Sequence, residues 1–412
     1  MQKLSNLLIV TITCMAFMLC SDSSINPDVG IIRDLTSSEV KLKESSNQFG
    51  IKLFRKIVEN EQNKNIFISP LSVSMALGMT YNGADSTTLE AMHETLEYGN
   101  LSIDEVNESY QSLIKLLTEL DPKVIFEIAN SIWYREGVSV ENDFLNINQT
   151  YFNAVVRALD FSSDDAADII NAWVDENTNG KIDKIVDSPI NPLTVMFLIN
   201  AIYFKGTWTY EFDEENTRDD TFFLPDGSEK ECKMMSHQCD HNYFENELFQ
   251  AIDLPYGDAG FSMTILLPKP GINIDSLIAQ FSNDSWNSWI SSFSAQEVNL
   301  YLPKFKMEYK ISLKNVLCAL GMSIAFDPYQ ADFTKINTNG NLYISNVKHK
   351  TFVKVNEEGT EAAAVTSVEI TLTSIGSSIT MHINRPFVFA IRENHSGTIL
   401  FVGKIVEPIW ED

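Results

Sequence analysis

From Glu357 to Ser378 the chain carries no Pro, Lys, Arg or aromatic residue. Exposed loops are usually rich in turn residues and charge, so this composition constrains the fold more than any other feature of the chain. Thr360, Ala362, Ala364, Thr366, Val368, Ile370 and Leu372 occupy alternate positions and are all small or apolar. The other register holds Glu361, Ala363, Val365, Ser367, Glu369 and Thr371, and so takes both charges of the span. A period of two with charge on one face describes a half-buried strand. The small residues at the Gly359 end suit a strand that must slide between two strands already in place.

The chain has 412 residues, 44% of them hydrophobic, which is enough to bury a large core in one domain or two. Its formal charge of −26 makes nucleic acid and anionic membranes poor partners. Asp and Glu are spread along the chain, as in an acidic globule and unlike a disordered acidic arm. Residues 1–20 read as a signal peptide. Lys3 supplies the positive start, and Leu7 to Leu19 is an apolar run too short to span a bilayer. The protein is therefore expected to be secreted and extracellular; acylation of Cys20, directly after the apolar run, would instead anchor it as a lipoprotein. Cys232, Cys239 and Cys318 follow, an odd number that leaves at least one thiol free. Sequons start at Asn100, Asn107, Asn148, Asn283 and Asn394.

Residues 21–42 read as a polar lead-in, and 43–412 as one domain. Phe49, Leu53 and Ile57 recur at four-residue spacing and mark an opening amphipathic helix. Ser72 to Met92 reads as a buried helix broken near Asn82-Gly83, with further helices at Val106 to Leu120 and Asp168 to Asn177. Thr194 to Phe204 is nearly continuous apolar sequence, as in a central strand. Strand-like runs return at Phe261 to Leu267, Val298 to Leu302, Phe387 to Arg392 and Thr398 to Val406. Helices come early, strands dominate late, and no βα repeat occurs. That order describes a mixed α+β single domain.

Asp175-Glu-Asn177-Thr-Asn179-Gly180 looks like the start of a calcium loop, but its twelfth position is Val186 where Glu is needed. A helix end closed by Asn179-Gly180 is the better reading. Cys232, His237, Cys239 and His241 have metal-ligating side chains at a spacing that fits no standard zinc pattern. The segment reads as a solvated connection, and no metal or cofactor is expected. Neither G-x-S-x-G nor H-E-x-x-H occurs, and an enzyme is not expected.

Glu357-Glu-Gly-Thr-Glu-Ala-Ala-Ala364 matches the hinge motif of a known family. Asn65-Ile-Phe-Ile-Ser-Pro-Leu-Ser72, Asn171-Ala-Trp-Val174, Thr178-Asn-Gly-Lys-Ile182 and Asn200-Ala-Ile-Tyr-Phe-Lys-Gly-Thr-Trp208 match further signatures of the same family. So do Leu302-Pro-Lys-Phe305, His349-Lys350, Arg385-Pro-Phe387 and Leu400-Phe-Val-Gly-Lys404. From about Phe49 onward the chain resembles the serpins. The resemblance implies three β-sheets, eight to nine helices and an exposed reactive centre loop over residues 357–383.

It also implies site residues. Glu357, Glu358, Gly359, Thr360, Glu361, Ala362, Ala363 and Ala364 would be the hinge of that loop. Ser69, Ser72, Asn200 and His349 match the buried polar shutter beneath the central sheet, and Trp208, Lys304 and Glu357 match the breach where the loop first enters. Counting along the hinge puts the reactive bond at Thr373–Ser374, with Leu372 and Ile375 as alternatives for the bait residue. The implied partner is a serine protease, captured as a covalent acyl-enzyme by a monomeric inhibitor. The small bait favours elastase-like or subtilisin-like enzymes over trypsin-like ones. The alternatives are cross-class inhibition of cysteine proteases and a non-inhibitory chaperone, storage or carrier protein. Heparin-type activation is not expected, because the region Glu97 to Lys123 sets Asp104, Glu105, Glu108 and Glu119 against Lys115 and Lys123.

Overall fold

The computed structural model describes residues 33–340, 342–360 and 379–410. Cys20, Glu361, Ala362, Ala363, Ala364, Leu372, Thr373, Ser374 and Ile375 lie outside the described residues. The amino-terminal half runs α1 (Ser37–Asn60), β1 (Ile66–Ile68), α2 (Pro70–Tyr81), α3 (Ser86–Thr95), α4 (Ile103–Glu119), β2 (Val124–Arg135), α5 (Asn142–Phe152), β3 (Val155–Leu159), α6 (Ala166–Glu176) and β4 (Met196–Thr207). There follow β5 (Arg218–Phe223), β6 (Glu229–Glu245), β7 (Phe249–Tyr256), β8 (Phe261–Pro268), α7 (Ile274–Ile278), α8 (Asn283–Ser291), β9 (Ser294–Pro303), β10 (Phe305–Ser312) and α9 (Lys314–Leu317). The chain closes with β11 (Lys348–Val355), β12 (Gly359–Thr360), β13 (Ile379–His382), β14 (Phe387–Glu393) and β15 (Ile399–Ile405).

Nine α-helices and two hydrogen-bonded strand networks are present among the described residues. The smaller network has the order β10-β11-β12-β4-β2-β3. The larger runs β1-β15-β14-β8-β7-β6-β9-β13, with β5 on the flank of β6. Three sheets were expected. Here the larger network is continuous because β6 pairs β5 from Glu229 to Met234 and then β7 from Asn242 to Glu245. One long strand thus serves two groups of partners. The two networks pack face to face through aromatic rings. Phe204 of β4 meets Tyr256 at 5.1 Å, Phe261 at 5.8 Å and Phe401 at 6.5 Å between centroids.

Local chemistry sets the helix ends. Ser69 caps α2, with Pro70 at its first turn. Nearly all of α2 is buried, and the break before α3 falls at Asn82-Gly83, as its sequence suggests. A Cβ on Gly83 would meet the Ile336 side chain at 2.2 Å, so close packing demands glycine there. α6 ends at Glu176, and Asn179 and Gly180 take positive φ beyond it, as expected for a closed helix end. α1 differs from expectation. It begins at Ser37, inside the segment read as a polar lead-in, and buries Leu42 completely. The reason is a capping box between Thr36 and Glu39, with Arg33 bridging to the Glu39 carboxylate. Those bonds hold the Glu39 carboxyl down to about 2. Of the sequons, Asn107 and Asn148 are buried in the core and closed to a glycan.

Candidate functional site

The central strands of the smaller sheet are held apart. β4 pairs β2 from Val124 opposite Gly206 to Tyr134 opposite Met196. β11 pairs β10 from Phe305 opposite Val355 to Ser312 opposite Lys348. Between them stands β12, two residues long, bonded to Gly206 and Thr207 of β4 and to Val355 of β11. Below Thr360 no ladder joins β4 to β11 among the described residues. A cleft of about 560 Å³ opens there, with Ser72, Asn200, Ala201, His349, Thr351 and Val353 among its walls. Two facing strand edges with unpaired backbone groups are a template for another strand. β12 is antiparallel to both walls, so a strand continuing from Thr360 meets both in the same sense.

The residues matched to the breach close the top of this cleft. The Trp208 amide donates to the Glu358 carbonyl at 2.9 Å and its indole Nε1 donates to the Asn356 carbonyl at 3.0 Å. The Phe212 amide donates to the Glu357 carbonyl at 2.9 Å. The Glu357 carboxylate is buried and accepts from Lys304 Nζ at 2.8 Å and from Thr217 Oγ1 at 2.7 Å. Burial alone would raise the Glu357 carboxyl, but these donors outweigh it and leave it below its ordinary value. Trp208 stacks on Tyr256 at 4.4 Å, and the Tyr256 hydroxyl lies 2.6 Å from Thr360 Oγ1. Thr360 is only 3% exposed, already turned into the sheet. A Cβ on Gly359 would lie 2.1 Å from the Gly206 carbonyl oxygen, so only glycine permits this approach.

The residues matched to the shutter lie at the cleft floor, where the start of α2 touches both walls. The Ser69 amide donates to His349 Nε2 on β11 at 3.0 Å, and Ser69 Oγ donates to the Leu400 carbonyl at 2.8 Å. Ser72 Oγ donates to the Asn200 carbonyl on β4 at 3.3 Å. Asn200 Nδ2 donates to Asn130 Oδ1 at 2.8 Å, and Asn130 donates to the Phe152 carbonyl at 2.8 Å. Asn200 Oδ1 is buried and has no hydrogen-bond partner among the described residues. An unpaired buried acceptor on a cleft wall is a cost that an arriving donor would remove.

Residues 44–408 match the family described as Serpin (serine protease inhibitor). The chain belongs to the serpin family. It is 35% identical over 394 residues to Serpin B10 of Homo sapiens, covering 89% of this chain and 99% of that protein. Its fold is similar to that of the thermophilic serpin tengpin in the native state, with a TM-score of 0.83, 35% identity, and coverage of 92% of this chain and 96% of that one. It is also similar to human thyroxine-binding globulin complexed with thyroxine, with a TM-score of 0.82, 29% identity, and coverage of 90% and 100%. Most members of the family inhibit proteases and are not enzymes.

Every described residue that the sequence matched to the breach or shutter thus sits around one cleft in this serpin. Tyr256, Thr217 and Asn130 complete those clusters and were not foreseen. Tyr256 lies 104 positions from the Thr360 it contacts, and a lone tyrosine ending an apolar run gives no signal of that contact.

The His349 imidazole makes the floor acid-sensitive. Burial pulls it down to about 4 from its usual value of 6.5. The unfolded chain therefore takes up the proton first as pH falls. The stability contributed by the neutral ring is present above about pH 6.5 and lost toward pH 4. Between pH 7 and pH 5 the loss is about 2 kcal/mol. Half-buried His237 and buried His241 are also held low by desolvation and add to the acid sensitivity of the parent protein. The measurement is therefore a comparison with His349→Gln, which keeps an acceptor for the Ser69 amide but does not titrate. Its melting temperature should fall about 4 °C less than the parent's between these two pH values. Equal falls would remove His349 from the account.

Proposed function

We propose that this serpin is a suicide-substrate inhibitor of serine proteases, with elastase-like or subtilisin-like enzymes as targets. The observation that carries the reading is the strand-wide cleft between β4 and β11, capped by hinge residues already bonded to both walls. The protease serine Oγ attacks the Thr373 carbonyl. The bond to Ser374 breaks, and the proton goes to the new amino group of Ser374. The loop is then free to follow Thr360 down the cleft as a full strand.

The observed register supports this path. Thr360 stands opposite Gly206 on one side and Val355 on the other. Carried on without a slip, that register sets Thr366 between Asn200 and His349. Thr366 shares the inward parity of Thr360, so its hydroxyl would arrive beside the unpartnered Asn200 Oδ1. The intact Ala362-Ala363-Ala364 run supports inhibition over a carrier role such as that of the thyroxine-binding relative. The apolar run Leu7 to Leu19 supports export, and with it an extracellular target.

The test is incubation with a panel of elastase-like, subtilisin-like, trypsin-like and papain-like proteases, followed by denaturing electrophoresis. A band resistant to SDS is expected with the first two classes, and little of it with trypsin, because no Lys or Arg lies between Lys354 and Arg385. Cleavage of the loop with free turnover of every enzyme would defeat the inhibitor reading. A stable complex with the papain-like enzyme alone would move the target to the cysteine class.

A further inference from the structure

The segment from Cys232 to His241 was expected to be a solvated connection. It is part of β6, and this changes what its spacing means. Side chains on a strand alternate between faces, so His237, Cys239 and His241 project to one side while Cys232 falls in the other register. The ligand-capable atoms of the three lie within 4.8 Å of one another. The two Nε2 atoms are 2.9 Å apart. Phe212 stacks on the His237 ring at 4.0 Å and 7°, and Tyr210 meets the His241 ring edge-on at 5.9 Å. Leu254 and Pro255 complete the apolar surround. The group lies behind the hinge, since the Phe212 amide is the donor to the Glu357 carbonyl.

The histidine pair is poorly satisfied by itself. A hydrogen bond between the two Nε2 atoms needs one of them protonated and the other bare. The ring with the bare Nε2 then carries its proton on Nδ1, yet both Nδ1 atoms are buried and neither has a partner at good hydrogen-bond geometry among the described residues. One buried N–H is therefore poorly satisfied. An ion between the rings resolves the conflict: both Nε2 lone pairs bind it and both Nδ1 atoms hold protons. Burial keeps both rings neutral, and the backbone of Glu211 beside His237 and of Asp253 beside His241 offers each neutral ring an acceptor of looser geometry for its proton.

We propose that His237 Nε2, Cys239 Sγ and His241 Nε2 bind one zinc-class divalent ion, with a water as fourth ligand. Two imidazoles and a thiolate form a borderline-soft donor set matched to Zn²⁺ in tetrahedral geometry. Zn–N bonds of about 2.0–2.1 Å need the two nitrogens roughly 3.3 Å apart, a small opening from their present separation. Cys239 is a free thiol, and binding transfers its proton to solvent. The strand register explains why the motif escapes pattern matching: the usual zinc spacings describe turns and helices, whereas these ligands stand at i, i+2 and i+4 of a strand.

The test uses the tag-free full chain, stripped with a chelator and titrated with Co²⁺. One equivalent is expected to bind, with thiolate-to-cobalt charge transfer and the visible bands of a tetrahedral site, both abolished by Zn²⁺. Cys239→Ser should lose the charge-transfer band, His241→Gln should bind roughly tenfold or more weakly, and Cys318→Ser should match the parent. Alkylation of the parent protein supplies a readout that needs no variant to fold. Zn²⁺ should slow labelling of Cys239 by roughly tenfold or more and leave Cys318 unchanged. No tetrahedral Co²⁺ spectrum, a charge-transfer band that survives Cys239→Ser, or equal labelling of Cys239 with and without Zn²⁺ would overturn the assignment.

Discussion

On the proposed mechanism, Thr360→Arg and Ala362→Pro are each expected to be cut as substrates without trapping the protease. Thr360 is the residue of β12 that sits between the two walls, buried, with its hydroxyl against Tyr256. An arginine there must either bring a guanidinium into a packed interior or push the hinge out of the sheet. The first costs about 3 kcal/mol or more, and the second removes the β12 pairings that start the new strand. Ala362 is the next residue of the same parity. Proline there has no N–H to give to either wall and fixes φ away from the strand value. Neither substitution alters Thr373 or Ser374, so recognition and the first cut should proceed at the parental rate. What changes is the race between insertion and deacylation. Each 1.4 kcal/mol added to the insertion barrier shifts that race about tenfold. The ratio of trapped protease to cleaved inhibitor should therefore fall at least roughly tenfold in both variants, with the same bond cut. Parental trapping by both would mean that capture does not depend on the hinge entering the sheet.

The parts of this site that could be read from sequence are those carried by short local motifs. The helix expected from Ser72 starts two residues earlier, because Ser69 caps it and Pro70 suits its first turn. The loop from Thr360 reads as a strand because its two charges, Glu361 and Glu369, fall in one register. Trp208, Lys304, Asn200 and His349 could be assigned only through the resemblance, and the structure brings them to the top and floor of one cleft. The cleft itself is a property of two ladders that fail to meet, and no stretch of sequence encodes that failure. Tyr256 and Thr217 reach the hinge only through tertiary packing. The start of α1 was legible in principle, since Thr36 and Glu39 stand at capping-box spacing, but the surrounding polar residues hid it. β6 was misread for a related reason. Its charged residues Glu229, Glu231, Lys233 and Asp240 are exposed and interleave with buried Cys232, Met234, Met235 and His241, so the segment looks solvated until the strand is packed.

The second large effect is on thermal stability, and it bears on whether the cleft receives the loop. In the intact protein the facing edges of β4 and β11 are unpaired below Thr360 among the described residues. Insertion of residues 361–373 would make about a dozen new backbone hydrogen bonds at roughly 1 kcal/mol net each and would bury Val368, Ile370 and Leu372. The gain is on the order of 10 kcal/mol or more. Loop closure opposes it while the chain is intact, because both ends are tethered. For a domain of this size the gain corresponds to a rise in melting temperature of roughly 10–20 °C or more. The intact fold must then persist kinetically above its lowest state.

The direct measurement is a melting curve of the protein before and after one cut between Leu372 and Ile375, with the cut located by mass. The loop-insertion account predicts that the cut protein, with nothing removed, melts at least about 10 °C higher than the intact one. Coincident melting curves would contradict it, because they would show that freeing the loop adds no strand to the sheet.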